Sequence, residues 1–154
     1  MKSTVPRLQL CYKCEPITDL LRDSSPTGYH IVATASAMKA EVLGFGEIEV
    51  DGKSYDYDIV IEAGEVKKRK KGRSKRFSDE YGHTPLSAEE SIPWGGTRLI
   101  VGTGVYGKLP IMPSVEAEAK RRGIELVAVP TKQACQLLCS LKRGESFAIL
   151  HVTC

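Results

Sequence analysis

The chain has 154 residues, of which 42% are hydrophobic and 27% are charged, a composition typical of one globular domain that buries its own core. No apolar run reaches the length of a membrane span, and the polar start of the sequence does not resemble a secretory signal peptide. Five cysteines, an odd number, argue against a complete set of intramolecular disulfides and favour a reducing compartment. We therefore expect a cytoplasmic protein that does not bind a membrane.

The net charge of +3 conceals a basic segment in an otherwise acidic chain. Residues 67–76 hold eight of the 22 Lys and Arg side chains and no acid, so the rest of the chain carries 14 bases against 19 acids. Either this segment contacts the phosphates of a nucleic acid, with Phe77 and Tyr81 stacking nearby, or it is a solvated mobile loop. The residues of the first interpretation are Lys67, Lys68, Arg69, Lys70, Lys71, Arg73, Lys75 and Arg76.

Residues 1–37 show the least pattern, and we treat them as an N-terminal extension of a domain over 38–154. Cys11 and Cys14 form a lone C-x-x-C pair, whereas a structural zinc site normally needs four ligands. A zinc site, a redox pair and a plain extension are the alternatives, and we favour the plain extension. We predict no metal site and no cofactor.

The first clear element is a β-hairpin with arms over 42–50 and 53–62. Asp51-Gly52 is a preferred pair for a type I′ turn, because both of its residues need positive φ. The hydrophobic positions of the first arm change parity, which predicts a bulge near Gly44 or Gly46. A third strand begins around Val66.

The stretch after the basic segment predicts a short helix and one candidate catalytic side chain. Ser87 and Glu90 form a capping-box pattern, and Pro93 stops the helix that they begin. His83 precedes them in a loop, where it is either an acid or base or a satisfied polar residue. Spacing alone identifies no Ser–His–Asp or Cys–His arrangement and no cluster of metal ligands.

The C-terminal half predicts a βαβ unit followed by a helix and a strand. The apolar runs 98–101 and 124–129 suit buried parallel strands, and Ser114 caps the helix between them. Thr131 caps the next helix, and 146–152 form the last strand. The predicted fold class is therefore α/β, with three layers: a mixed central sheet that contains the βαβ unit, helices, and an N-terminal β-hairpin layer.

The loop from Gly102 to Gly107 matches G-x-G-x-x-G, but residues 108–113 separate it from any helix. A dinucleotide site, a tight turn, and an anion-binding crevice shared with the next helix N-terminus are the three interpretations. The predicted ligand-binding residues of the crevice are Gly102, Thr103, Gly104, Tyr106, Thr131 and His83.

Several short motifs occur together in a fixed order: Phe45-Gly46-x-Ile48, Gly52-x-x-Tyr55-x-x-Asp58, Tyr81-Gly82-His83, Val101-Gly-Thr-Gly104, Gly123-Ile124, Thr131-x-x-Ala134-Cys135 and His151-Val-Thr-Cys154. Over residues 38–154 they resemble the MTH-type domain of unknown function, whose eukaryotic members include a mitochondrial complex I assembly factor and a protein linked to adipogenesis. The resemblance implies a compact α/β fold and no established catalytic activity. Members often have Tyr-Asn where this chain has Leu138-Cys139. The chain therefore lacks the side-chain amide of that Asn, which weakens any site built on it.

Three functions follow from these observations. The first is a small non-catalytic accessory protein that binds a protein partner, because no catalytic constellation is apparent. The second is a binder of a small molecule or anion, or an enzyme, that uses the Gly102–Tyr106 loop, the start of the Thr131 helix and His83. The third is nucleic-acid binding through residues 67–76.

Overall fold

The computed structural model describes residues 36–154, so Cys11, Cys14 and nearly all of the predicted extension lie outside the described residues. The strands are β1 Ala40–Gly44, β2 Glu47–Val50, β3 Lys53–Tyr55, β4 Ile59–Glu62, β5 Glu65–Lys68, β6 Arg98–Thr103, β7 Glu125–Val129 and β8 Phe147–His151. The helices are α1 Ser78–Tyr81, α2 Pro113–Arg122 and α3 Thr131–Cys139, with 3₁₀ turns at Lys71–Phe77 and Arg143–Glu145. Within this part of the chain, no helix is long and apolar enough to span a membrane.

β1, β2 and β3 form an antiparallel three-stranded sheet. Asp51 and Gly52 have φ values of 51° and 80°, which confirms the turn predicted from this pair. The register between β1 and β2 shifts between Val42 and Gly44, so the predicted bulge is confirmed as well.

The prediction of one continuous hairpin arm over 53–62 is wrong, because these residues form strands in two different sheets. β3 ends at Tyr55, and β4 begins at Ile59 in the larger sheet. Residues 59–61 are all buried, as suits a strand covered on both faces.

The larger sheet has the strand order β5-β4-β8-β6-β7 and confirms the mixed α/β class. β4 is antiparallel to both β5 and β8, whereas β6 is parallel to both β8 and β7. The pair β6–β7, connected through α2, is the predicted βαβ unit. The central strand, β8, is buried along its whole length.

Two hydrophobic clusters cover the two faces of the larger sheet. In the first, α3 packs against both sheets; its fully buried members include Met38, Ile48, Ile59, Ile61, Ile100, Leu138 and Leu150. The second lies on the opposite face, with members that include Leu86, Leu99, Val101, Leu109, Val115 and Ile149. Burying these side chains supplies most of the driving force for folding.

Three predicted helix caps are wrong. Pro113 is the first residue of α2, so Ser114 lies inside the helix and Met112 precedes it. Thr131 is likewise the first residue of α3, and its hydroxyl donates to the carbonyl of His151, 2.6 Å away. Ser87 and Glu90 start no helix, because their side chains are hydrogen-bonded to the segment around Ser74.

Candidate functional site

The carboxyl end of β8 brings distant polar residues together. Register pairs Thr103 of β6 with His151, the last residue of β8. Ile59 of β4 pairs with Leu150, so the preceding Asp58 lies beside His151. This edge, where parallel strands end, is where open α/β sheets place ligands.

Three side chains converge at this edge. Cys154 Sγ lies 2.5 Å from His83 Nε2 and 3.0 Å from His151 Nε2. The two imidazole rings are edge-to-face, with centroids 5.2 Å apart. His151 is buried, whereas His83 and Cys154 are partly exposed.

The partners of each Nδ1 atom determine what the rings present to the thiol. His151 Nδ1 lies 2.9 Å from both carboxylate oxygens of Asp58, and His83 Nδ1 lies 3.3 Å from the carbonyl of Thr84. Carbonyl and carboxylate oxygens accept, so both Nδ1 atoms donate. In the neutral rings, both Nε2 atoms therefore present a lone pair to Cys154. The hydroxyl of Thr153 lies 3.1 Å from His151 Nε2.

Asp58 is an ionised carboxylate in the interior. Burial alone would raise its pKa, but the hydrogen bond from His151, the charges of His151 and Lys71, and the amide of Val152 together hold the pKa of Asp58 well below its usual range. Lys71 Nζ is 3.5 Å from the carboxylate. A charged Asp58 fixes the tautomer and orientation of His151, as the carboxylate of a catalytic triad does.

A second buried ion pair supports Asp58. Arg69 donates to Asp58 at 3.2 Å and to both oxygens of Glu90 at 2.8 and 2.7 Å. It also donates to the carbonyl of Pro85 at 3.1 Å, two residues after His83. Arg69 thus binds both Asp58, which is the partner of His151, and the loop that carries His83. Its side chain is only 1% exposed.

The predicted ligand loop contacts the same site through its backbone. The amide of Val105 donates to the carbonyl of Thr153, and the amides of Tyr106 and Lys108 donate to that of Cys154. Thr131 Oγ1 accepts from the amide of Gly104 at 2.9 Å. These amides already have acceptors within the chain, and the anion-binding hypothesis stays a prediction.

The predicted crevice residues differ in exposure. Gly102, Thr103, Gly104 and Thr131 are buried, and Tyr106 is 69% exposed. Of that set, His83 alone contributes a side chain to the cluster around Cys154.

The basic segment is ordered in the structure rather than a long loop. Lys67 and Lys68 belong to β5, Arg69 is buried, and the remaining bases follow in or next to a 3₁₀ turn. Lys67 pairs with Glu62 and Glu65. Arg76 pairs with Glu89. Several of the eight charges are therefore neutralised locally, and nucleic-acid binding stays a prediction.

Sequence reasoning identified His83 but missed Asp58, His151 and Cys154 as its partners. A signal for them existed, since all four residues occur in the motifs of the family resemblance. Their spacing carried no information, because 93 residues separate Asp58 from His151.

An exposed apolar patch adjoins the site. Phe45 is 65% exposed, and its ring centroid lies 6.3 Å from that of the equally exposed Tyr106; Leu43 is 48% exposed. Gly46, next to Phe45, donates to the carbonyl of Val152. The patch is thus anchored to the segment that carries Cys154.

Comparisons with known proteins agree with a family of unknown function. No family model and no curated protein matches the chain. A crystal structure of the conserved hypothetical protein PH1505 from Pyrococcus horikoshii OT3 is 34% identical, covering 76% of this chain and 100% of that one, with a TM-score of 0.63. A structure named MT938 is 22% identical over 77% of this chain and 100% of its own, with a TM-score of 0.42. The chain belongs to the same family of conserved hypothetical proteins as PH1505.

Proposed function

We propose that the protein acts through a nucleophilic thiol at Cys154, with His151 as its general base. The observation that carries this proposal is the position of His151, whose Nδ1 is 2.9 Å from Asp58 and whose Nε2 is 3.0 Å from Cys154 Sγ. The nucleophile contacts the base, and the base contacts the orienting carboxylate, which is the arrangement that nucleophilic catalysis uses.

The first half-reaction places a group on Cys154, and a second nucleophile then displaces that group and restores the thiol. His151 Nε2 takes the thiol proton, and the sulfur of Cys154 forms a bond to the electrophilic atom of the substrate. The bond from that atom to the leaving group breaks, and the imidazolium returns the proton to the leaving group. Asp58 stabilises the imidazolium and keeps the ring oriented.

The surroundings favour a substrate that develops no oxyanion. The nearest loop amides, those of Val105, Tyr106 and Lys108, already donate to the chain's own carbonyls. Acyl transfer usually relies on free amides of this kind. Thiol–disulfide exchange does not, because the thiolate attacks one sulfur and the other departs as a thiolate. We therefore assign a disulfide as the substrate class.

The test is the rate at which metal-free protein reacts with an aromatic disulfide that releases a coloured thiolate. His151→Gln removes the base and is expected to slow the reaction of Cys154 by roughly 100-fold or more. Asp58→Asn is expected to slow it less. Cys154→Ser abolishes it and serves as the blank. A reaction of equal rate in folded wild type and folded His151→Gln contradicts the proposal.

An interaction role is the second candidate and is favoured by the exposed patch of Leu43, Phe45 and Tyr106. Exposed aromatic side chains are enriched at protein interfaces. In this function the protein is a small accessory protein without catalysis. Chemical cross-linking in the native cells tests it: Phe45→Ser with Tyr106→Ser should lose a cross-linked partner that Cys154→Ser retains. A partner pattern unchanged by the double variant counts against this role.

We further propose that the family is the MTH-type domain. Support comes from the motifs of the resemblance, which contain all four members of the cluster: Asp58, His83, His151 and Cys154. The proposed compartment is the cytoplasm, where reducing conditions keep a thiol such as Cys154 available.

A further inference from the structure

We propose that His83, His151 and Cys154 bind one divalent transition-metal ion, with zinc as the best match. Their ligand atoms, two imidazole nitrogens and one sulfur, all lie within 4.8 Å of one another. Zinc accepts this mixture of nitrogen and sulfur, and a site with three protein ligands leaves the fourth tetrahedral position open. This inference does not depend on a nucleophilic role for Cys154.

The protonation pattern favours a cation between the three atoms. Both Nδ1 atoms donate, to Asp58 and to the carbonyl of Thr84, which leaves both Nε2 atoms as acceptors. The thiol proton of Cys154 serves one of the two at a time, and the hydroxyl of Thr153, 3.1 Å from His151 Nε2, is a further donor to that ring only. A metal ion that displaces that proton accepts all three lone pairs at once.

Both histidines also make the hydrogen bonds that usually support metal-binding histidines. A ligating histidine usually donates its other ring N–H to a carboxylate or a carbonyl, which fixes the ring and raises the basicity of the ligand. Asp58 provides the carboxylate for His151, and Thr84 provides the carbonyl for His83. The thiolate of Cys154 and the carboxylate of Asp58 together offset the two positive charges of the ion.

Metal binding requires a small opening of the cluster. Two ligands on one tetrahedral zinc are about 3.5 Å apart, given Zn–S and Zn–N bonds of about 2.3 and 2.0 Å. The present separations from Cys154 Sγ are 2.5 and 3.0 Å, so the sulfur moves outward by less than about one bond length. His83 and Cys154 are the partly exposed members, and they lie outside the helices and strands, whereas His151 is buried at the end of β8.

The first measurement is titration of the full chain, freed of metal by chelation, with zinc alone and with cobalt(II) alone. We expect one ion per chain and, for cobalt, a thiolate-to-metal charge-transfer band with the visible absorption of a four-coordinate ion. Cys154→Ser should remove the charge-transfer band while the protein still unfolds at the same temperature. His83→Gln should weaken zinc binding, and Asp58→Asn should weaken it by roughly 10–100-fold.

Matched controls separate this site from other thiols. Cys11→Ser with Cys14→Ser removes the C-x-x-C pair, and Cys135→Ser removes a buried thiol; both variants should retain the ion and the band. The proposal is overturned if zinc does not bind stoichiometrically, if the band survives in Cys154→Ser, or if the C-x-x-C variant loses it. Stoichiometric binding with a disulfide reaction unaffected by His151→Gln would support this site and reject the nucleophilic function.

Discussion

Cys135 and Cys154 carry the same side chain in opposite surroundings. Cys135 lies in α3 among aliphatic side chains, with 2% of its surface exposed, and burial raises its pKa to about 12. Cys154 is partly exposed and has two imidazole nitrogens within 3.0 Å. A thiol in the first setting acts as a small hydrophobe, and a thiol in the second is placed for proton transfer or metal binding. The difference shows that the neighbours, rather than the residue type, decide which cysteine does chemistry.

The largest effect expected from this comparison concerns alkylation of Cys135. At about pH 8, a thiol with a pKa near 12 is ionised to roughly one part in ten thousand, whereas an ordinary thiol with a pKa of about 8.5 is ionised to about a quarter. The thiolate is the reactive form, so Cys135 should react with iodoacetamide at least about a thousandfold more slowly in the folded protein than in urea. Peptide mass spectrometry after timed quenching measures both rates. Comparable rates in the two states would show that Cys135 is not shielded.

Arg69→Ala should break the surroundings of Cys154 and leave those of Cys135 intact. The change leaves Asp58 and Glu90 without their buried cation, which typically costs about 3–5 kcal/mol. Urea unfolding monitored by circular dichroism gives the loss of stability. Lys70→Ala, at an exposed neighbouring position, is the matched control and should change stability by less than about 0.5 kcal/mol. An equally small effect of Arg69→Ala would mean that the ion pair does not support the site.

Gly104→Ala should move Cys154 away from its imidazoles. Gly104 has a φ of 104°, and an added Cβ would overlap the main chain of Thr153 and Cys154. We expect a cost of about 1–3 kcal/mol and a change in the reactivity of Cys154. Gly44→Ala, where the Cβ meets no neighbour within 4 Å, is the control. Unchanged reactivity in folded Gly104→Ala would show that this loop does not position the thiol.

Serine replacements test the contrast between Cys135 and Cys154 through small changes in stability. Cys135→Ser places a hydroxyl in an apolar core and is expected to cost about 1–3 kcal/mol of stability. Cys154→Ser keeps a polar group in a polar, partly exposed cluster and should cost less than about 0.5 kcal/mol. Thermal unfolding of both variants measures this. A reversed order would indicate that Cys154, rather than Cys135, is the structural thiol.

The candidate site was only partly predictable. His83 was identified as a candidate acid or base because it lies in a polar loop, and the carboxyl edge of the strands was identified from the parallel βαβ unit. Cys154 and Asp58 gave no local signal, since neither lies in a recognisable spacing with His83. The interpretation of Ser87 and Glu90 as a helix cap was wrong because a buried arginine competes for Glu90, and that competition depends on contacts 21 residues away.

The features that follow from the sequence alone are local. The Asp51-Gly52 turn, the bulge before it, the strands of the βαβ unit and the mixed α/β class all follow from side-chain period and backbone preference within a few residues. Long-range contacts, by contrast, cause β4 to leave the hairpin, bury Arg69 of the basic segment, and bring together Asp58, His83, His151 and Cys154. These outcomes depend on which strands become neighbours, because pairing β4 with β8 and β8 with β6 is what brings residues far apart in the chain within hydrogen-bonding distance.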